Sequence, residues 1–234
     1  MHGVRIMHIV LSIGGSAINP KGEPDLNFLK AMANLIKKSK NNFGILTGGG
    51  SLARVHANTV RMLGGTEYEA DQIAITSTKQ NAQLMIAALN GAGIKTYGNV
   101  LADFDSAKEH TAENKAVVMG GTIPGITTDT DAVLLAEAIG AKRLVNISNV
   151  DAIYDSDPKK NTKAKRYANM TYSELNKLAA ESDKRTAGMH FVFDILACKL
   201  IARSKIETHF VSGKNMKDVE NAIEGRKHSG TIVK

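Results

Sequence analysis

Three apolar segments of this chain each lead directly into a glycine-containing loop, and this recurrence limits the possible folds more than any other feature. The segments and their loops are residues 6–13 with Gly14-Gly15-Ser16, residues 43–47 with Gly48-Gly49-Gly50, and residues 116–119 with Gly120-Gly121-Thr122. Glycine lets backbone N–H groups approach a ligand closely, and the N-terminus of a following helix favours anions. At the carboxyl edge of a parallel sheet, three such loops can together hold several phosphate groups. The alternative is that each loop only makes a tight turn.

Apolar runs alternate with helical periods along the N-terminal half of the chain. Leu26, Leu29, Met32, Ala33 and Ile36 recur at helical spacing and predict an amphipathic helix over residues 25–40. The further predicted elements are a helix over 71–90, short strands near 94–97 and over 116–119, a helix over 131–139 and a strand over 143–147. This alternation predicts an α/β fold, a three-layer α/β/α sandwich around a mostly parallel central sheet.

The C-terminal region of the chain has a different sequence pattern. Residues 155–166 are polar and lysine-rich, and they predict an exposed hairpin or loop. Thr171 and Glu174 have capping-box spacing and predict the start of a helix. Helices are also predicted over 194–204 and 215–224, and strands over 207–211 and 231–233. We expect a single domain over residues 1–234, with two lobes, residues 1–147 and residues 148–234, that share one sheet.

The amino-acid composition limits which classes of ligand or macromolecule the protein is expected to bind. The formal net charge of +7 raises the question of nucleic acid, but aromatic residues make up only 5% and tryptophan is absent. Because stacking on single strands needs aromatic side chains, small polyanionic ligands explain the charge better. Cys198 is the only cysteine, which excludes an internal disulfide and fits a reducing compartment. Residues 6–13 are too short for a membrane span, so we expect a cytoplasmic protein.

The familiar nucleotide and zinc motifs are missing from the sequence. It contains neither the P-loop pattern nor an extended dinucleotide fingerprint after Gly14-Gly15-Ser16. His-Glu-x-x-His and paired-cysteine motifs are also absent, so a dedicated zinc site is not expected. Any metal ligands stay unknown at this level.

The stretch that follows the glycine triplet ends in Arg54. This residue lies within about one turn of the predicted helix N-terminus. A planar guanidinium at that place can clamp anionic oxygens, which makes Arg54 a candidate catalytic residue.

Residues 121–129 form the segment with the most candidate ligand-binding residues. Pro124-Gly125 favours a turn, and Thr127, Thr128 and Asp129 precede a predicted helix. These side chains either cap that helix or bind a ligand that faces its N-terminus. A bare carboxylate repels phosphate, so Asp129 either caps the helix or acts through Mg²⁺.

These motifs, together with residues 148–158 and Ile201-Ala202-Arg203-Ser204, resemble the amino-acid kinase superfamily, and within it the archaeal-type uridylate kinases. The resemblance runs from end to end. It implies the amino-acid kinase fold, transfer of the ATP γ-phosphoryl group to UMP to give UDP, and a role in pyrimidine nucleotide biosynthesis. It also implies Mg²⁺ with ATP and a homohexamer. The lobe of residues 1–147 would bind the acceptor UMP, and the lobe of residues 148–234 would bind ATP.

The resemblance also assigns residues to the two substrates. The residues implied for ATP are Gly14, Gly15, Ser16, Gly50, Arg54, Ser148, Asn149, Tyr154 and Asp157. The residues implied for UMP are Gly49, Asp71, Thr122, Ile123, Pro124, Gly125, Ile126, Thr127 and Thr128. Arg54 and Asp129 are the implied catalytic residues.

The chain departs from the superfamily pattern at three places. Many members have a lysine two residues before the first loop glycine, where this chain has Ser12. Members that phosphorylate carboxylates have a second lysine where this chain has Val192, two residues before Asp194. Residues 188–193 are also bulkier than the small serine-rich stretch expected there.

Three alternatives stay open at this level. An isopentenyl phosphate kinase would have a glycine-rich loop ending in histidine, and Arg54 argues against it. A nucleotide-dependent oxoanion storage protein would need oxoanion-binding residues, which the sequence does not reveal. A nucleic-acid-binding regulator rests on charge alone, and strongly salt-dependent duplex binding would be its signature.

Overall fold

The strands belong to a computed structural model that describes residues 6–156, 158, 160–183 and 193–234. In chain order they are β1 (His8–Ile13), β2 (Asn42–Thr47), β3 (Ala116–Met119), β4 (Arg143–Ser148), β5 (Ile153–Tyr154), β6 (Arg166–Tyr167), β7 (Asn169–Met170), β8 (Glu207–Ser212) and β9 (Thr231–Val233). Most of them are short and apolar, as expected for buried strands.

Helices follow most of these strands. In chain order they are α1 (Gly15–Ile18), α2 (Leu26–Lys38), α3 (Gly50–Met62), α4 (Glu67–Gly91), α5 (Phe104–Thr111), α6 (Thr128–Ala138), α7 (Tyr172–Asp183), α8 (Ile195–Ser204) and α9 (Met216–Ile223). Among the described residues, no helix combines the length and the apolar character that crossing a bilayer requires.

Seven strands form one sheet in the order β3-β2-β1-β4-β8-β9-β7. All neighbours are parallel except β8 and β9, which are antiparallel. The chain moves outward from β1 through β2 to β3, and then crosses to β4 on the other side of β1. The gap between β1 and β4 is therefore a topological switch point, where open α/β sheets form a ligand crevice beyond the carboxyl ends of the strands.

Helices cover both faces of the sheet, which confirms the predicted three-layer sandwich. Strand β1 serves both cores, because its alternate side chains point to opposite faces. Ile9 and Leu11 belong to the core that also contains residues of α2, α4 and α9, whereas Val10 belongs to the core that contains residues of α6, α7 and α8. All three side chains are fully buried, and burial of one such side chain contributes about 1.5–3 kcal/mol.

Helix ends explain where the predicted boundaries were wrong. α4 begins at Glu67, four residues before the predicted start, because Thr66 and Glu69 form a capping box. Asp71 consequently lies in the second turn of α4. The capping box predicted at Thr171 is confirmed, since the Thr171 N–H donates to Glu174 at 2.7 Å.

The strand expected over residues 94–97 is not formed. Thr96 makes only an isolated bridge to Ala116 at the edge of the sheet. Tyr97 stacks on His110 with ring centroids 3.7 Å apart, and the chain turns at Gly98, whose φ is +89°. The segment therefore leaves the sheet before a ladder can extend.

The predicted hairpin is present as the antiparallel pair β5 and β6. The C-terminal strand holds it in place: the Ile153 N–H donates to the Thr231 hydroxyl at 2.9 Å, and that hydroxyl donates to the Tyr167 carbonyl. The start of β9 thus helps to position Tyr154, a candidate ATP residue.

A histidine pair, in which His209 is buried and His228 is half-buried, anchors this C-terminal segment. His209 is 1% exposed, and its Nε2 lies 2.9 Å from a Glu207 oxygen. Because an ionised carboxylate only accepts, Nε2–H donates there, and Nδ1 accepts from His228 Nε2 at 2.7 Å. His228 Nδ1 in turn accepts from the Gly230 N–H at 3.1 Å. The whole chain of hydrogen bonds is satisfied when both histidines are neutral.

We expect this pair to make stability fall in acid. Burial lowers the pKa of His209 from 6.5 to about 4, so its contribution is present above pH 6.5 and is lost as the pH falls through 4. Thermal unfolding at pH 7, 5.5 and 4 should show a steeper loss for the wild type than for His209→Gln. Parallel pH curves for the two proteins would contradict the assignment.

Candidate active site

The first two glycine loops touch each other through their backbones. A Cβ added to Gly15 would lie 2.1 Å from the Gly50 nitrogen and 2.5 Å from the Gly48 oxygen. Gly50 also has a φ of +67°, which favours glycine. The loops after β1 and β2 therefore form one surface that only glycine permits at these positions.

The helices that leave these two loops have no side-chain cap. Gly14 precedes α1 and Gly49 precedes α3, and neither helix start receives a side-chain hydrogen bond. The described helix starts that are capped use Asp25, Thr66, Asp103, Thr127, Thr171, Asp194 and Asn215. The free N–H groups of α1 and α3 are thus left for an anionic ligand.

The loop after β3 is held by three side chains. The Gly121 N–H donates to the Thr78 hydroxyl at 2.7 Å, and the Thr122 hydroxyl donates to Asp131 at 2.6 Å. The Gly125 N–H donates to Asp71 at 2.8 Å. Asp71 and residues 122–128, which the sequence grouped as the acceptor site, therefore lie together. Asp131 is 1% exposed and serves as an anchor for this loop.

Thr127, rather than Asp129, caps α6. The Thr127 hydroxyl accepts from the N–H groups of Asp129 and Thr130, and it donates to Asp194. The Thr130 hydroxyl also donates to Asp194, which itself caps α8. Of the two roles open for Asp129, helix capping is thus excluded.

Asp129 forms a pair of carboxyl groups with Asp194. It is half-buried, it faces Asp194, and the Ser12 hydroxyl donates to it. Burial, reinforced by the negative charge of Asp194, raises the pKa of Asp129 from 3.8 to about 8. Ser12, which replaces the usual lysine, therefore contacts an acid that carries a proton at neutral pH.

The raised pKa gives a test of this pair. A carboxyl whose folded pKa is raised contributes stability below its unfolded pKa of 3.8, and this contribution is lost as the pH rises through 8. Asp129→Asn keeps a neutral group, so its melting temperature relative to wild type should rise from pH 5 to pH 8.5. The exposed Asp105→Asn controls for the removal of one negative charge. A difference that stays constant with pH would contradict the pairing.

Arg54 lies in the first turns of α3 and is exposed. The ion pairs found among the described residues do not include it. Its guanidinium is therefore available to a ligand at the second glycine loop.

The other candidate ATP residues follow β4. Ser148 ends this strand, and its Cα lies 3.7 Å from the Cβ position of Gly14, so these two loops flank the switch point. Asn149 is exposed, and the Tyr154 hydroxyl donates to Asp151 at 3.2 Å. Asp157, Val192 and most of the bulky segment 188–193 lie outside the described residues.

Several polar residues of the site were not predicted from the sequence. Thr78 and Asn81 project from α4 toward the loops, and Asn146 lies beside Ser12 on the neighbouring strand. The Asn146 Oδ1 is buried with no described partner. The one available signal was polar residues at buried helix and strand positions, which periodicity alone does not reveal.

The fold and this site define an α/β protein with uncapped helix starts in its glycine loops at the carboxyl edge of the sheet. The sequence profile of the amino acid kinase family matches residues 7–212, and the chain belongs to that family.

Two relatives named uridylate kinase match almost the whole chain. The uridylate kinase of Thermococcus kodakarensis is 42% identical over 229 residues, which are 97% of this chain and 99% of that protein. The uridylate kinase of Archaeoglobus fulgidus is 38% identical over 227 residues, 97% of this chain and 100% of that protein.

Solved structures agree with the sequence relatives. The crystal structure of uridylate kinase from Archaeoglobus fulgidus matches with a TM-score of 0.83 at 35% identity, covering 97% of this chain and 100% of that one. UMP kinase from Bacillus anthracis matches with a TM-score of 0.81 at 19% identity, covering 98% of this chain and 96% of that one, which shows the shared fold.

Proposed function

We propose that this protein is a UMP kinase, which transfers the γ-phosphoryl group of ATP to UMP and gives ADP and UDP. The observation that carries the proposal is the contact between the first two glycine loops, beside a third loop, the acceptor loop after β3, that Thr78 and Asp71 fix. Full-length similarity to uridylate kinases supports the same reaction.

The acceptor needs no general base. The second pKa of a phosphate monoester is about 6, so the UMP phosphate is mostly a dianion at neutral pH. Its oxygen forms a bond to the γ-phosphorus while the bond from that phosphorus to the β-phosphate oxygen breaks, and ADP leaves. The barrier is the alignment of two polyanions and the charge on the transferred group.

The chain provides positive potential where that charge lies. We assign the free N–H groups at the starts of α1 and α3 to the phosphates, and Arg54 lies in the first turns of α3. Preorganised donors of this kind stabilise charge without reorganising during the reaction. We assign ATP to Gly14, Gly15, Ser16, Gly50 and Arg54, and UMP to Gly49, Asp71 and residues 122–128.

Asp129 and Asp194 fit a role beside Mg²⁺. Their carboxyl groups face each other, and Asp129 would suit Mg²⁺ after losing its proton, which the charge of a nearby cation favours. Within the described residues, no group of three or more His, Cys, Asp or Glu side chains could hold a metal ion, so the ion would enter with ATP. When bound, it neutralises phosphate charge.

A coupled phosphoryl-transfer assay tests the substrate. With ATP and Mg²⁺, UMP should be phosphorylated much faster than CMP, dTMP or isopentenyl phosphate. Equal rates on all four acceptors would contradict the proposal. Tight binding of UMP in isothermal titration would also separate a kinase from an oxoanion storage protein.

The same proposal includes self-association and a cytoplasmic location. Val55, Met62, Leu63 and Tyr68 expose large apolar side chains along α3 and the start of α4, which favours contact with further copies of the chain. Native mass spectrometry should show a homohexamer. A monomer at micromolar concentration would contradict the assembly.

A further inference from the structure

Helix α4 carries two buried polar side chains on the face that meets the glycine loops. Thr78 is 5% exposed and Asn81 is 2% exposed. They are three residues apart and therefore lie on the same side of the helix. The Thr78 hydroxyl accepts from the Gly121 N–H and so holds the third loop. The Thr78 carbonyl accepts from the hydroxyl of Thr47, at the end of β2, at 2.9 Å.

Asn81 connects the other two loops. Its Nδ2 donates to the Gly48 carbonyl at 2.7 Å, and its Oδ1 accepts from Asn19 Nδ2. Asn19 ends α1, and its own N–H donates to the Gly15 carbonyl at 2.8 Å. A continuous chain of hydrogen bonds thus runs from the second loop through Asn81 to the first loop.

The orientation of this amide follows from chemistry. The Gly48 carbonyl only accepts, so the amide nitrogen of Asn81 must face it, which leaves the Asn81 oxygen for Asn19. Both asparagines are almost fully buried, with exposed fractions of 2% and 4%. Water cannot easily replace the link when it is broken.

We propose that Asn81 is a positioning residue that fixes the first and second glycine loops relative to each other. This inference rests on the proposed function, because that function assigns Gly14, Gly15, Ser16 and Gly50 of these two loops to ATP. The helices that leave these loops have no side-chain caps. The directions of their free N–H groups consequently depend on how the loop backbones are held, and Asn81 holds both.

Most of the acceptor side depends on other contacts, since Gly49 is the one residue assigned to UMP that lies in the second loop. Residues 122–128 are fixed by Thr78, Asp71 and Asp131. Loss of the Asn81 link should therefore disturb the ATP phosphates and their alignment more than the affinity for UMP. Misplacement of reacting groups by about 1 Å can lower a rate by about 10²-fold.

The test uses Asn81→Ala in the full-length protein. Amide hydrogen exchange of the nucleotide-free protein should accelerate by about tenfold in residues 13–19 and 47–50, the factor that corresponds to one lost hydrogen bond. The KM for ATP should rise and kcat should fall, each by about tenfold, while the dissociation constant of UMP should change by less than about threefold.

A matched control lies on the same helix. Asn90 is exposed on α4 and accepts a hydrogen bond from Thr96 at 2.7 Å. Asn90→Ala should leave loop exchange and both kinetic constants unchanged. If Asn81→Ala does not fold, Asn19→Ala removes only the hydrogen bond between Asn19 and Asn81 and keeps the bond from Asn81 to Gly48. It should give the same changes in exchange and kinetics at smaller magnitude.

Two results would overturn the proposal. One is unchanged exchange in the two loops of Asn81→Ala. The other is a uniform increase of exchange over the whole of α4 with equal losses of ATP and UMP affinity, which a merely stabilising residue would give. Hydrogen exchange needs no turnover, so a wild type that fails to phosphorylate UMP would reject the proposed function while the role of Asn81 is still decided.

Discussion

Replacing Arg54 with alanine should lower kcat for UMP phosphorylation by about 10²–10³-fold, the effect of removing one preorganised donor from a developing charge. The fold should be unaffected, because Arg54 is exposed and forms none of the ion pairs found among the described residues. Steady-state kinetics with a melting curve would measure both effects.

Arg61 offers the matched control for this experiment. It lies on the same helix, two turns further on, and pairs with Glu67 at 2.7 Å. Exposed pairs of this kind contribute little to stability because solvent screens them, and Arg61 lies away from the glycine loops, so Arg61→Ala should keep kcat near the wild-type value. If Arg54→Ala and Arg61→Ala had equal kcat values, Arg54 would have no role in catalysis.

Gly15→Ala should abolish activity and also reduce stability. The new Cβ would lie 2.1 Å from the Gly50 nitrogen and 2.5 Å from the Gly49 carbonyl carbon, and both atoms belong to the backbone. The two loops must move apart, which we expect to lower the free energy of unfolding by about 1–3 kcal/mol. The displaced N–H groups should lower kcat by more than about 10²-fold.

Gly91 is the control for a general glycine-to-alanine effect. It ends α4, and a Cβ there would meet no atom within 4 Å. Gly91→Ala should keep full activity and change stability by no more than about 1 kcal/mol. A Gly15→Ala enzyme with wild-type kcat and melting temperature would contradict the close contact of the loops.

Local sequence patterns predicted most of the regular elements. The apolar strands and the stripe from Leu26 to Ile36 indicated the alternation that defines the sandwich. Helix α5 was not predicted. Two predictions were wrong: the capping box at Thr66 extended α4, and residues 94–97 left the sheet after one bridge. Both wrong predictions depend on contacts of single residues, which a hydrophobic period over many residues does not reveal.

The candidate site was predicted unevenly. The glycine loops and residues 122–128 are contiguous in the chain, so their composition indicated their role. Asn81 and Thr78 lie in the middle of a helix and look like ordinary polar positions in the sequence. Their contacts with Gly48 and Gly121 span 33 and 43 residues, so only the folded chain could reveal them.

The sequence by itself determined most of the strands and helices, the three glycine loops and the membership of a kinase family, because short contiguous stretches of residues carry the signal for each of them. The tertiary structure decided how those motifs act together. It placed Gly15 against Gly50, assigned the cap of α6 to Thr127, and paired Asp129 with Ser12 and Asp194. The physical reason is that close contact and burial, which set steric limits and pKa values, exist only after distant segments have packed.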